Sequence, residues 1–240
     1  GGTGGGVYPA LSVLLQLKQE AERPASETGA VEGQPQASLP SAADLQTLWV
    51  GSVGGMEADL VKRTGVRYEA IPAGQVHGVS LRSLPANLWR LVCGFFAALR
   101  LLRNFRPDVS LFTGGYLAVP VAFAARILRQ GKSLLYVPDI EPAWALKMLA
   151  RFAHQVALTV EDTRRFFPKH GNMVVTGYPL RVDLQKGNKA EARVVFALRD
   201  DLPVVLVLGG SKGAHSINQA LQRVLPALWR QVQVLHISGN

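Results

Sequence analysis

Apolar positions along this chain follow two alternating rhythms. Short runs with strand character lie at 45–50, 66–71, 108–112, 133–137, 155–160, 173–176, 204–208 and 232–238. Between several of them apolar residues recur at helical spacing, over 9–18, 84–104, 117–128, 143–152, 190–198 and 216–229. The first of these helices carries Leu11, Leu14, Leu15 and Leu17, with Pro9 near its start. Strand and helix in alternation predict βαβ units on a parallel sheet covered on both faces, an α/β fold. Such folds bind ligands at the carboxyl ends of their strands, so the loops after strands are where chemistry is expected.

Two segments break the rhythm. Residues 20–41 are rich in Pro, Gly, Ser, Ala, Gln and Glu and carry no apolar period, which reads as a disordered insertion. Gly177-Tyr-Pro-Leu-Arg181, followed by a polar stretch, marks a boundary between a domain of 1–176 and the start of a second at 177–240. Gly1 to Gly6 is a loop sequence of the kind that follows a strand, and Val232 to Ser238 alternates like a strand and stops. The chain therefore reads as a piece of a longer protein, its second domain truncated. No internal repeat of short period is visible.

Composition narrows the classes. The chain has 240 residues, 48% hydrophobic and 18% charged, which is globular rather than disordered. A single cysteine, Cys93, excludes an internal disulfide and fits a reducing compartment; beside Val92 and Phe95 it reads as a small core residue. The net charge of +9 suggests an acidic partner, or simply a basic surface. No apolar run reaches the roughly 18 residues that a spanning helix requires, and the start lacks the regions of a signal peptide.

Two glycine loops carry the candidate chemistry. Gly1-Gly-Thr-Gly-Gly-Gly6 stands beside a helix start, where free amides favour an anion, although a tight turn explains it equally. The dinucleotide fingerprint fails here, because its third glycine falls on Val7. A P-loop at Gly131-Lys132-Ser133 fails too, because Arg126 stands where its first glycine is needed. Leu208-Gly-Gly-Ser-Lys-Gly-Ala214 is the stronger signal, since it joins an apolar strand to a helix and so points its amides and the Ser211 hydroxyl at one anionic site.

Taken in order, Gly1-Gly-Thr-Gly-Gly5 with Pro9-Ala-Leu11, Met56-Glu-Ala-Asp-Leu-Val61, Gly114-Gly-Tyr116 with Pro120, Gly177-Tyr-Pro-Leu-Arg181, and Gly209-Gly-Ser-Lys-Gly-Ala214 with Asn218-Gln219 resemble the motifs of the MurG family of glycosyltransferases. The resemblance spans the chain except the insertion. It implies the GT-B architecture, two Rossmann-like doubly wound domains with a cleft between them. It also implies metal-free, inverting transfer of N-acetylglucosamine from UDP-N-acetylglucosamine to the undecaprenyl-pyrophosphoryl-muramoyl-peptide acceptor, peripherally at the cytoplasmic face of the bacterial membrane. By resemblance Thr3, Gly4, Gly5, Arg181, Gly210, Ser211 and Gly213 fall on donor-binding positions, and Gly6, Gly114, Gly115 and Tyr116 on the acceptor side. Arg181 suits a diphosphate on its own chemistry, because guanidinium bonds phosphate bidentately; a solvated linker arginine is the other reading.

The chain departs from the family pattern at two places. Gly6 stands where the family has a histidine, and Val137-Pro-Asp-Ile140 replaces the family's His-Glu-Gln-Asn segment. Inverting transfer benefits from a base that takes the acceptor hydroxyl proton. Asp139 and Glu141 lie in a loop at a strand's carboxyl end, and Asp139 is the preferred catalytic candidate, with a helix N-cap as the alternative for either. His77, His154, His170, His215 and His236 show no ligand spacing, so no metal and no cofactor are expected. His215, near the second glycine loop, reads as phosphate contact or surface position. The departures leave two other functions open: a related UDP-sugar transferase with a different acceptor, and a non-catalytic nucleotide-sugar-binding homologue.

On the helix of 84–104, Leu84, Leu88, Leu91, Val92, Phe95, Leu99 and Leu102 form one stripe, the expected core face. Beside it fall Arg82, Trp89, Phe96, Arg100 and Arg103. Aromatics mixed with arginines suit an anionic membrane surface, or else extend the core while the arginines snorkel. The family's membrane association selects the first of these. Nucleic acid is not expected, since no recognised binding module accompanies the arginines.

Overall fold

A computed structural model describes residues 4–22, 44–55, 57–74, 80, 82–181, 184, 186–210 and 213–239. Helix and strand alternate through α1 (Gly4–Glu22), β1 (Leu48–Ser52), α2 (Glu57–Lys62), β2 (Arg67–Ile71), α3 (Leu84–Phe105), β3 (Val109–Phe112), α4 (Ala118–Leu128), β4 (Lys132–Val137), α5 (Trp144–Ala150) and β5 (Gln155–Leu158). A 3-10 helix (Glu161–Phe166), β6 (Met173–Val175), α6 (Lys189–Val195), β7 (Val204–Leu208), α7 (His215–Leu228) and β8 (Gln233–Ile237) follow. Every strand pair is parallel: β1 with β2, the ladder β3-β4-β5-β6, and β7 with β8. The chain divides into two compact units, Gly1–Arg181 and Val182–Asn240.

The core of the first unit sits on β4 and β5. Leu135, Val137, Val156 and Leu158 are fully buried, as near-continuous apolar strands covered by helices must be. Val121, Ala124 and Ala125 of α4, Leu146 and Leu149 of α5, and Ala98 and Leu102 of α3 join the same cluster. A second cluster, Val7, Leu11, Val61 and Val66 with Trp49 and Tyr68 against it, ties α1 and α2 to β1 and β2.

Several expectations shift. Helix α1 begins at Gly4, so Gly4 to Gly6 form its first turn rather than a loop, and Pro9 lies inside the helix. Glycine is a weak helix former, but burial of Gly6, Val7 and Pro9 overrides propensity here. The helix continues through Glu22, so 20–22 of the expected insertion are helical, and 23–41 lie outside the described residues. The short α2 was not anticipated from periodicity. Cys93, expected in the core, is only half-buried.

The core face of α3 is the clearest correction. Leu102 is buried and Phe95 and Leu99 pack against the core as expected, but Leu88 is 56% exposed and Val92 39%, and Gly94 and Ala98 are buried instead. Small residues win because the helix approaches closely: a Cβ on Gly94 would run into the carbonyl oxygen of Pro72. Counting apolar side chains rotates the stripe toward Leu88 and Val92; counting small residues restores it.

In the second unit burial is sparse. Leu221 is its one buried hydrophobic among the described residues, while Leu206 and Leu208 of β7 and Val194 and Val195 of α6 are more than half exposed.

Candidate functional site

The loops after β3, β4 and β5 meet at one edge of the four-stranded ladder, the edge at which parallel sheets present their ligands. After β3 the chain turns through Gly114 (φ 99°) and Gly115 (φ 85°), conformations that side chains rarely adopt. A Cβ on Gly114 would stand 3.0 Å from Leu146, so the turn rests on α5, while the carbonyl of Gly115 accepts the Ala118 amide at 3.2 Å and opens α4. Tyr116 follows, half-buried.

After β4 the strand ends on Tyr136 and Val137 and leads to Asp139. Tyr136 is 4% exposed, and its hydroxyl donates to Thr159 Oγ1 at 2.7 Å, which itself donates to the Val137 carbonyl at 3.0 Å. Burial, together with the phenol of Tyr178 and the carboxylate of Asp139, raises the Tyr136 pKa despite the Thr159 bond, so it stays a neutral donor. The carbonyl of Asp139 faces the buried Thr163 hydroxyl at 3.4 Å, and its carboxylate is exposed. Helix α5 starts at Trp144 with Ala143 as N-cap and no capping side chain, so neither Asp139 nor Glu141 is a cap.

The segment after β6 folds back over this edge. The ring of Tyr178 meets Tyr136 edge-on at 6.4 Å between centroids, and the Gly177 carbonyl lies 3.5 Å from the Tyr136 hydroxyl. Arg181 then reaches α1, its guanidinium 5.1 Å from the ring centroid of Tyr8. The structure thus brings Arg181 together with α1, the helix that begins at Gly4 and Gly5. Thr3 lies outside the described residues.

Glu57 closes the β1 end of this unit. It is 4% exposed, and its Oε1 accepts both the backbone amide (3.1 Å) and the hydroxyl (3.0 Å) of Ser52. Burial alone would raise its pKa, but the Ser52 bonds prevail and hold it below the ordinary carboxylate value. The hydroxyl of Tyr68 donates to the Ser52 carbonyl at 3.2 Å, completing the cluster.

In the second unit, Gly210 (φ 82°) and Gly213 (φ 71°) shape the turn between β7 and α7. A Cβ on Gly213 would collide with the Ser238 carbonyl, so this turn sits against the loop after β8. Asn218 fastens the two together, donating from Nδ2 to the Ser238 carbonyl and pairing through Oδ1 with His236 Nε2, each at 2.9 Å. Ser211 lies outside the described residues, and His215 opens α7.

Trp89 and Phe96 of α3 are 68% and 62% exposed, so they do not extend the core. Leu88, Val92, Arg100 and Arg103 are exposed with them. Among the described residues no three His, Cys, Asp or Glu side chains group as a metal site, and no helix is long and apolar enough to cross a membrane. Sequence reading missed Tyr8, Tyr136 and Thr159; the one available signal was a phenol at the end of an otherwise aliphatic strand.

Comparison with known proteins adds a family. The glycosyltransferase family 28 N-terminal domain model matches residues 41–134. A UDP-N-acetylglucosamine--N-acetylmuramyl-(pentapeptide) pyrophosphoryl-undecaprenol N-acetylglucosamine transferase of Roseiflexus sp. (strain RS-1) is 39% identical over all of this chain and 58% of its own length. The protein of the same description from Desulforudis audaxviator is 36% identical, over all of this chain and 59% of its own. The chain thus spans less than two thirds of the curated relatives it matches. MurG of Acinetobacter baumannii, at 24% identity, superposes with a TM-score of 0.63 over all of this chain and 57% of that structure, which shows the shared GT-B fold.

Proposed function

We propose that this chain, which belongs to the MurG family of glycosyltransferases, supplies the acceptor-binding unit and the first part of the donor-binding unit of an inverting transferase. The enzyme moves N-acetylglucosamine from UDP-N-acetylglucosamine to a lipid-linked muramoyl-pentapeptide. The observation that carries the reading is identity of 31–39% with relatives of that one description over essentially the whole chain.

In this reading Thr3, Gly4, Gly5, Arg181, Gly210, Ser211 and Gly213 are donor-binding residues, and the Arg181 guanidinium stabilises the diphosphate as it departs. Asp139 takes the proton of the acceptor hydroxyl as that oxygen bonds the sugar's anomeric carbon and the bond to the diphosphate breaks. Gly6, Gly114, Gly115 and Tyr116 shape the acceptor side. The exposed face of α3 rests on an anionic membrane, through Trp89 and Phe96 with Arg100 and Arg103 around them, at the cytoplasmic side.

The test is transfer of labelled sugar from UDP-N-acetylglucosamine to the lipid-linked acceptor by the full-length protein. Gly6 in place of a histidine, and Asp139 in the altered segment, favour as second reading a related acceptor. Absence of transfer to the muramoyl lipid, with turnover of the same donor on another lipid-linked sugar, would select it.

A further inference from the structure

In the second unit the carboxyl ends of β7 and β8 lie side by side, Leu208 paired with Ile237 and Val207 with His236. The turn after β7 carries Gly210 and Gly213, donor-binding residues in the reading above, and it has no slack. The Gly213 amide donates to the Gly210 carbonyl at 3.0 Å, and a Cβ on Gly209 would strike the Ala214 amide. A Cβ on Gly213 would strike the carbonyl of Ser238 and crowd the Cα of Gly239, both in the loop after β8. The place of Gly213 is therefore set by where the Ser238 carbonyl stands.

That carbonyl is held by a side chain. Asn218, one turn into α7, donates to it from Nδ2 at 2.9 Å. A carbonyl only accepts, so the amide has one possible orientation and its Oδ1 faces His236. An amide oxygen only accepts as well, so the 2.9 Å contact requires the hydrogen on Nε2 of His236. The tautomer of a histidine on β8 is thus fixed by the position of a carbonyl two residues further on.

Strand, helix and loop are joined by two hydrogen bonds of fixed direction, and the glycine turn rests on the last acceptor of the chain. Aliphatic side chains would serve to pack β8 against α7; a directional pair serves to place a backbone. If the Ser238 carbonyl shifts toward Gly213 it meets the turn, and if it shifts away it loses Asn218. Groups that bind a ligand need placing to within about 0.5 Å, and a misplacement of about 1 Å can cost on the order of 10² in activity.

We propose that Asn218 and His236 are positioning residues for donor binding, a latch that holds the Ser238 carbonyl against Gly213 and so keeps the glycine turn in its binding geometry. This role rests on the reading of that turn as donor-binding and names what holds it in place. Both side chains act through the backbone of the turn.

The full-length protein is titrated with UDP by calorimetry and assayed with UDP-N-acetylglucosamine, as parent, His236→Leu, His236→Gln, Asn218→Asp and Ser211→Ala. His236→Leu removes the donor to Oδ1, and should weaken UDP binding and raise the donor KM about tenfold with kcat and the acceptor KM kept. His236→Gln returns an N–H at similar reach and should recover most of that affinity. Asn218→Asp sets a carboxylate oxygen against the Ser238 carbonyl, two acceptors with no hydrogen between them, and should lose at least as much as His236→Leu. A role in stability alone would lower the melting temperature and the active fraction, and so kcat, without moving KM. His236→Leu carries the test if Asn218→Asp does not fold. Parental UDP affinity in His236→Leu, beside weakened affinity in Ser211→Ala, would overturn the latch and leave the donor turn standing. Equal losses in His236→Gln and His236→Leu would overturn the hydrogen bond as the cause. Parental affinity in Ser211→Ala would sink the donor reading of the turn, and the latch with it.

Discussion

Arg181 rests on Tyr8, guanidinium over ring at 5.1 Å, so the residue proposed to meet the donor diphosphate is held by the second turn of α1. The ring fixes the plane of the guanidinium and leaves its donor edge free. An exposed contact of this kind contributes about 0.5–1 kcal/mol. Tyr8→Leu should therefore raise the KM for UDP-N-acetylglucosamine roughly two- to fivefold with kcat kept, and Tyr8→Phe should behave as the parent. Steady-state kinetics in which Phe and Leu are equivalent would remove Tyr8 from this role.

Asp139 stands in its loop without capping α5, which starts from Ala143. Asp139→Asn should therefore leave the melting temperature unchanged. Loss of the proposed base should lower transfer at saturating donor by about 10²–10⁴. Parental turnover in this variant would exclude Asp139 and turn attention to Glu141.

The exposure of Trp89 and Phe96 separates membrane attachment from folding. Replacing both with Ser should cut sedimentation with anionic vesicles while the melting curve stays put, because neither ring is buried. A lowered melting temperature with unchanged sedimentation would contradict both halves of that expectation.

Glu57 makes the fold acid-sensitive in a defined window. Its pKa is lowered in the folded protein, the Ser52 bonds outweighing burial. The stability it contributes is complete above the unfolded value of about 4.3 and disappears as pH falls through the lower folded value. Glu57→Gln should remove that part of the pH dependence, and at neutral pH should melt below the parent. Melting curves of parent and variant between neutral and strongly acid pH test this; parallel curves would show that Glu57 carries none of the acid response.

Alternation along the chain was enough to find the strands and the parallel pairing, since β4 and β5 are buried on both faces and their runs are unbroken. The second glycine loop was legible from its place between strand and helix, and Gly210 and Gly213 take positive φ there; Gly114 and Gly115, which do the same, were reached only through the family motif. What escaped the sequence depends on distance rather than pattern. Gly94 faces inward because α3 comes against Pro72, and nothing in the spacing of leucines records that approach. Tyr136 and Tyr8 matter through partners far away in the chain, Thr159 and Arg181. The opening glycines hid a helical turn, because propensity alone reads such a run as loop.

The close approach of α3 to the end of β2 makes position 94 intolerant of any side chain. A Cβ there would stand 2.2 Å from the Pro72 carbonyl oxygen, so even Gly94→Ala must push the helix away from the segment it rests on.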